Sequence, residues 1–344
     1  MSTHPPLVLS STPIVNDHVH ARSYALDAAG KARCGLSLDE INGLVADKSC
    51  RIWVDIDSCD PPQVELLKGI AGLHPLAVED ALAVNSRPKI EEFQGYLFMI
   101  IIGVRFHERT PDPYDLQTFD LCFFLGPSFL VTVHGGPSEA VDDVAKRIEK
   151  NPDLLSRGVD RLSHAIMDDA VDAYFPLLDK LDEFVDGLEQ RVIIDFDQSA
   201  LAEIFAVKRL VLSLRRHVGP EREVFNILTN RPSQLLSPES QIYFRDIYDH
   251  VLRINDSIET YRDLLSSVLD SYLTQVSNRL GRVTKGLSVI ATLSIPFVVI
   301  SGMWGMNFQH IPLSGQPHAF WLMLALQMGI GLALLLILRF WKLL

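Results

Sequence analysis

The chain has 344 residues, a formal net charge of −12 and 48% hydrophobic residues, with a sequence pI near 5.3. Such an acidic surface repels a phosphate backbone and excludes nucleic acid as a partner, and the four cysteines, Cys34, Cys50, Cys59 and Cys122, form no CxxC pair and read as reduced thiols. All 43 acids precede residue 286 and residues 286–338 carry no Lys, Arg, Asp or Glu, so a large acidic part is joined to an apolar C-terminal piece.

The N-terminal MSTHPPLVLS has neither the basic stretch nor the long apolar core of a secretory signal, and none is expected. Residues 1–159 read as an α/β domain with a mixed sheet. CRIWVDID (Cys50–Asp57), YLFMIIIGVRF (Tyr96–Phe106) and DLCFFLGPSFLVTVH (Asp120–His134) are rich in β-branched and aromatic residues, as strands require. PPQVELLKGIAGL (Pro61–Leu73) opens on prolines, which suit a first helical turn, and then follows helical spacing.

Residues 160–236 change period and predict antiparallel amphipathic helices. Ile166, Ala170, Tyr174, Leu177, Leu181, Phe184, Leu188 and Val192 recur at three and four, with Asp168, Asp172, Asp179, Asp182, Asp186 and Glu189 between them. A second helix over about residues 198–217 carries Lys208, Arg209, Arg215 and Arg216. The pair reads either as solvated faces or as opposed charges that respond to ion concentration.

Residues 237–304 predict one helix. SPES (Ser237–Ser240) is an N-cap followed by Pro at the first helical position. Helical spacing then runs through Ile242, Ile247, Val251, Ile254, Ile258, Tyr261, Leu265, Val268 and Tyr272 to Trp304. At about 1.5 Å per residue this stalk is roughly 100 Å long. Alone it cannot bury its apolar stripe; a bundle of copies can, so oligomerisation is expected.

GLSVIATLSIPFVVISGMW (Gly286–Trp304) and FWLMLALQMGIGLALLLIL (Phe320–Leu338) each match the ~20 residues needed to cross about 30 Å of hydrocarbon. Pro296 is tolerated in a membrane helix when neighbours satisfy the freed carbonyl. Arg279, Arg282 and Lys285 precede the first span, Arg339 and Lys342 close the second, and residues 305–319 between them hold no Lys or Arg. The positive-inside tendency puts both termini in the cytoplasm and the 305–319 loop outside, with residues 320–344 as second span and cytosolic tail. A multi-pass protein of an inner or plasma membrane is expected.

YLTQVSNRLGRVTKGLSVIATLSIPFVVISGMWGMNF (Tyr272–Phe308) resembles the pore helix and Gly-Met-Asn signature of the CorA family of divalent cation transporters. The likeness extends through RDIYDHVLRINDSIETYRDLLSSVLDSYL (Arg245–Leu273) and HPLAVEDALAVNSRPKIEEFQGYLFMI (His74–Ile100), and covers most of the chain beyond about Ile52. It implies an α+β membrane protein: a cytosolic α/β domain, a long stalk continuous with the first transmembrane helix, two C-terminal spans, and a homopentameric funnel in the lipid bilayer.

The resemblance assigns a selectivity filter to Gly305, Met306 and Asn307. Magnesium releases its waters reluctantly, and a ring of neutral amide oxygens can hold the hydrated ion without stripping it. Asn also serves as a helix C-cap, the bland reading of Asn307. The implied pore register falls on Gly281, Thr284, Leu287, Ala291, Ile295, Val298 and Gly302, with Leu287 and Ile295 as apolar constrictions. The implied regulatory metal ligands are Asp80 against Asp270 of a neighbouring subunit, with Glu79, Asp246 and His250 nearby. Two carboxylates about 4 Å apart repel by roughly 4 kcal/mol at an effective dielectric of 20, which a bound cation reverses. Mg2+ is the expected substrate and regulatory ligand, with Co2+, Ni2+ and Zn2+ as further candidates and no organic cofactor.

Two features depart from the family pattern. The outer segment FQHIPLSGQPHAFW (Phe308–Trp321) carries no acid, with Gln309 and Leu313 where acids are common, and His310 and His318 present weak zinc ligands. Gly281 stands where a pore asparagine is common. A zinc-preferring transporter is therefore the alternative, and a membrane-anchored coiled-coil scaffold or sensor is the alternative of another class. No enzyme is expected: HVH (His18–His20) alone is poor evidence, and no GxxxxGK[ST] string occurs.

Overall fold

The computed structural model describes residues 21–47, 49–106, 116–151, 153–195, 199–231, 234–306 and 317–341; His18–His20 lie outside the described residues. The chain divides into two compact units, Met1–Glu189 with Ser199–Ser267, and Gln190–Gln198 with Val268–Leu344.

The first unit opens with β1 (Arg22–Leu26), β2 (Ala32–Cys34), α1 (Leu38–Ala46) and β3 (Arg51–Asp57). It continues through α2 (Pro61–Gly69), α3 (Pro75–Leu82), β4 (Lys89–Phe93), β5 (Tyr96–Phe106), β6 (Leu116–Leu125) and β7 (Phe129–His134). The seven strands form one mixed sheet in the order β2-β1-β3-β7-β6-β5-β4, in which β3 and β7 run parallel. Ile52, Val54, Ile56, Phe98, Ile100, Phe124, Val131 and Val133 face α1–α3 and close the main core with Ile41, Leu67 and Ala77. Helices follow as α4 (Glu139–Lys150), α5 (Asp153–Ser156), α6 (Val159–Asp172), α7 (Tyr174–Gln190) and α8 (Ala200–Asn230). Here α6 packs on β3, β5, β6 and β7, and α8 on β4 and β5. With both faces covered, β7 is buried along its whole length, which explains why these strands read as apolar runs without alternation.

Several expectations need correction. Asp120–His134 is two antiparallel strands, because Pro127 offers no N–H and Gly126 turns the chain, its own N–H bonding the Phe129 carbonyl at 2.8 Å. The helix expected over Pro61–Leu73 ends at Gly69. The acidic helix breaks at Ala173; Pro176 has no N–H for the Asp172 carbonyl one turn back. The basic helix reaches Asn230 across Pro220, since burial of Val218, Val224, Phe225 and Leu228 outweighs one missing hydrogen bond.

The stalk is one 67-residue helix, α9 (Pro238–Trp304). Ser237 caps it, accepting the Ser240 N–H at 3.1 Å, and Asp160 anchors it by accepting both the Ser237 and Ser240 hydroxyls at 2.8 and 2.7 Å. Its stripe starts at Phe244, not Ile242, which is 66% exposed. Phe244, Ile247, Val251, Ile254, Ile258 and Leu265 are buried within the single chain, so this part of the stripe needs no second copy. In the second unit, by contrast, Leu273, Leu280, Val283 and Leu287 stay exposed. That unit also holds a π-helical turn (Arg191–Asp195) and α10 (Ala319–Phe340). α10 and the C-terminal part of α9 are long and apolar enough to cross a membrane.

Candidate functional site

The stripe assigned to the pore has a distinct place on α9. Gly281, Thr284, Leu287, Ala291, Ile295, Val298 and Gly302 are all exposed, with Leu287, Ile295 and Val298 at 63%, 59% and 69%. Val289, Leu293, Pro296, Phe297, Ile300 and Trp304 are partly buried. At about 100° per residue the two sets lie on roughly opposite faces of the helix. The second face meets α10, where Gln327 donates to the Phe297 carbonyl at 3.4 Å and the Phe297 ring occupies the notch at Gly331. One face of α9 is thus taken by its own chain, and the other is apolar and open.

The helix closes just before the assigned filter. The Gly305 N–H bonds the Ser301 carbonyl at 3.0 Å and that of Gly302 at 3.2 Å. A Cβ on Gly305 would stand 3.3 Å from the Ser301 oxygen, so close backbone approach, not positive φ, is what favours glycine here. Met306 is 50% exposed. Asn307, Gln309, His310 and Leu313 lie outside the described residues.

In the first unit, α6 and α9 bring titratable groups together. Asp168 and Asp172, one turn apart on α6, and His250 on α9 have ligand atoms within 4.8 Å of one another. The His250 Nδ1 lies 3.0 Å from an Asp172 oxygen, and its ring edge rests on Phe175. Burial pushes the Asp168 carboxyl above its usual range; the Asp172 and Asp246 charges add to this and His164 and His250 oppose it. Burial likewise lowers the His164 imidazole, partly offset by Asp168. The donor set of two carboxylates and one imidazole suits a divalent cation: hard Mg2+ through oxygens and retained waters, Co2+, Ni2+ or Zn2+ also through the ring nitrogen.

Of the five assigned regulatory ligands, His250 is in this group, and Asp246 is exposed within electrostatic reach of Asp168. Glu79 is exposed on α3 and Asp270 exposed on α9, the latter in the second unit. Asp80 has a partner the sequence did not reveal: Lys89 Nζ lies 2.7 Å from its Oδ2 and 3.0 Å from Glu91 Oε1. Burial alone would lower the Lys89 pKa, and its hydrogen bonds to Asp80 and Glu91 raise it above the usual value. Sequence reasoning placed Asp168 and Asp172 only on an acidic face. Their spacing of four on the side turned to the stalk was the available signal, obscured by equally spaced Asp182 and Asp186 on α7.

The family model described as CorA-like Mg2+ transporter protein matches residues 50–340. The chain is 33% identical over 268 residues to the cobalt/magnesium transport protein CorA of Thermotoga maritima, covering 77% of this chain and 76% of that protein. It is 23% identical over 312 residues to the divalent cation transporter CmaX of Pseudomonas aeruginosa, covering 90% and 92%. In fold it is similar to the CorA magnesium transporter of Methanocaldococcus jannaschii, with TM-score 0.79 at 22% identity over 93% of this chain and 98% of that one.

Proposed function

The chain belongs to the CorA-like Mg2+ transporter family, and from that premise we propose that it is a channel-like conductor of hydrated Mg2+, tolerating Co2+, formed by five copies around one axis. The observation that carries this reading is the open apolar stripe from Gly281 to Gly302, opposite the face that α10 occupies. A single-chain tether needs no such second face. Five stripes meeting at an axis make an uncharged conduit, with Leu287 and Ile295 narrow enough to gate by dewetting. At its outer end five Asn307 amides bind the ion's waters.

No fixed charge lies in the spans, where one would be costly. An inside-negative potential of 100 mV is worth about 4.6 kcal/mol for a dication, roughly a 2000-fold inward bias, so no nucleotide is needed. Internal divalent cation bound between subunits at Asp80 and Asp270, and within each subunit at the group around Asp168, Asp172 and His250, holds the closed state. Its loss frees the subunits to move.

Flux into proteoliposomes at an imposed inside-negative potential tests the reading. Mg2+ entry abolished by Asn307→Ala with an intact oligomer is expected; no flux of any dication favours the scaffold alternative. Zinc preference is the competing reading, supported by the acid-free outer segment Phe308–Trp321. A competition series of Mg2+, Co2+, Ni2+ and Zn2+ decides between them.

A further inference from the structure

Between Ala319 and Leu338 the sole amide or charged side chain is Gln327. It is 6% exposed. An amide in a hydrocarbon-spanning helix must find partners or remain unsatisfied where no water competes, so such a residue calls for a specific explanation. Here the partners are on α9. The Gln327 Nε2 donates to the Ser301 Oγ at 2.7 Å and to the Phe297 carbonyl at 3.4 Å. One turn further along α10, Gly331 leaves room for the Phe297 ring: a Cβ there would stand 2.7 Å from the ring's Cζ. Gln327 and Gly331 on one helix thus engage Ser301 and Phe297 on the other, a two-point contact that fixes both rotation and register.

We propose that Gln327 is a positioning residue for ion selection: by holding Ser301 it sets the rotation of the outer pore helix and the place of Gly305 and Met306 at its end. The proposal rests on the transport reading above. The link to the turn is short, because the Ser301 carbonyl accepts the Gly305 N–H at 3.0 Å. It also controls the pore face, because Gly302 follows Ser301 directly. A slip of one residue turns α9 by about 100° and carries Val298 and Gly302 off the axis.

The test uses the full chain in proteoliposomes, with Gln327→Leu, which keeps bulk and removes the amide, Ser301→Ala, which removes only the hydroxyl, and the double variant. The readout is the ratio of Mg2+ to Co2+ and Ni2+ rates, which does not depend on how much protein is active. Each single change should shift that ratio at least threefold while oligomer size holds, and the double variant should match the singles instead of multiplying them, as expected for one shared interaction. Unchanged ratios in both singles, or a multiplicative double, overturn the proposal. Should Gln327→Leu not fold, Ser301→Ala decides alone. Wild-type protein that passes no dication overturns the transport reading instead. The positioning claim is then read from a spin label at Met306→Cys in a background without the native cysteines. Greater mobility with Ser301→Ala supports it and unchanged mobility overturns it.

Discussion

Glu221 on α8 accepts the backbone N–H of Ile102 at 2.5 Å within a closed core, while Tyr174, at the start of α7, donates its hydroxyl to the Ile102 carbonyl at 2.9 Å. β4 pairs with β5 only as far as Ile100, so two helices supply the partners that the bare strand edge lacks.

Burial pushes the Glu221 carboxyl up to about 8. The unfolded chain releases this proton near pH 4.5 and the folded chain near 8, so between those values the unfolded state binds fewer protons and stability falls as pH rises. The slope is about 1.4 kcal/mol per pH unit. Thermal unfolding of the detergent-solubilised chain should show Glu221→Gln, which keeps the acceptor, overtaking wild type above neutral pH. Parallel curves from pH 5 to 9 would contradict this.

A second buried group shifts stability in the same direction with pH. Asp55 on β3 lies 3.2 Å from His134 Nε2 on β7 and accepts the Thr132 hydroxyl at 2.6 Å. Burial alone would lower the His134 pKa, and Asp55 with Asp57 raises it above the usual value. Its contribution is complete below about pH 6.5 and is lost as pH rises through the raised folded value. Asp55→Ala strands the imidazole and should cost roughly 3–5 kcal/mol in unfolding experiments; a loss below about 1 kcal/mol would show that the pair is not electrostatically important.

The Lys89 ammonium competes with any cation for Asp80. Lys89→Met removes that competitor, so internal Mg2+ should protect the chain from protease at several-fold lower concentration. An unchanged midpoint would remove Asp80 from the regulatory site.

Replacing His250 with Ala takes the only nitrogen from the group it forms with Asp168 and Asp172. Binding of Co2+ or Ni2+ to the closed protein should weaken by at least about tenfold, with Mg2+ affected less because it prefers oxygen. Equal losses for all three metals would indicate structural damage instead of ligand removal.

The strands and the stalk were legible in the sequence for a physical reason. Tyr96–Phe106 is a dense run of β-branched and aromatic residues, and Ser237–Trp304 combines a clear helical period with a capping signal; both came out at their expected bounds to within a residue. What failed was local. Pro176 broke a helix whose apolar spacing continued past it, and Pro220 did not break one because burial around it held the turn. The pairings Lys89–Asp80 and Gln327–Ser301 join residues of different elements, so no spacing rule reveals them. Asn307 was identified by resemblance to a family motif and not by geometry.

In the proposed conductor the exposed stripe containing Ile295 and Val298 lines the ion path, while Leu293 and Ile300 lie on the partly buried face that meets α10 through Phe297. Single cysteines at these four positions, in a background without the native cysteines, can be treated with a bulky thiol reagent during Mg2+ flux in proteoliposomes. Block at 295 and 298 with little effect at 293 and 300 is predicted. Block confined to 293 and 300, or none at any position, contradicts this assignment of the pore face.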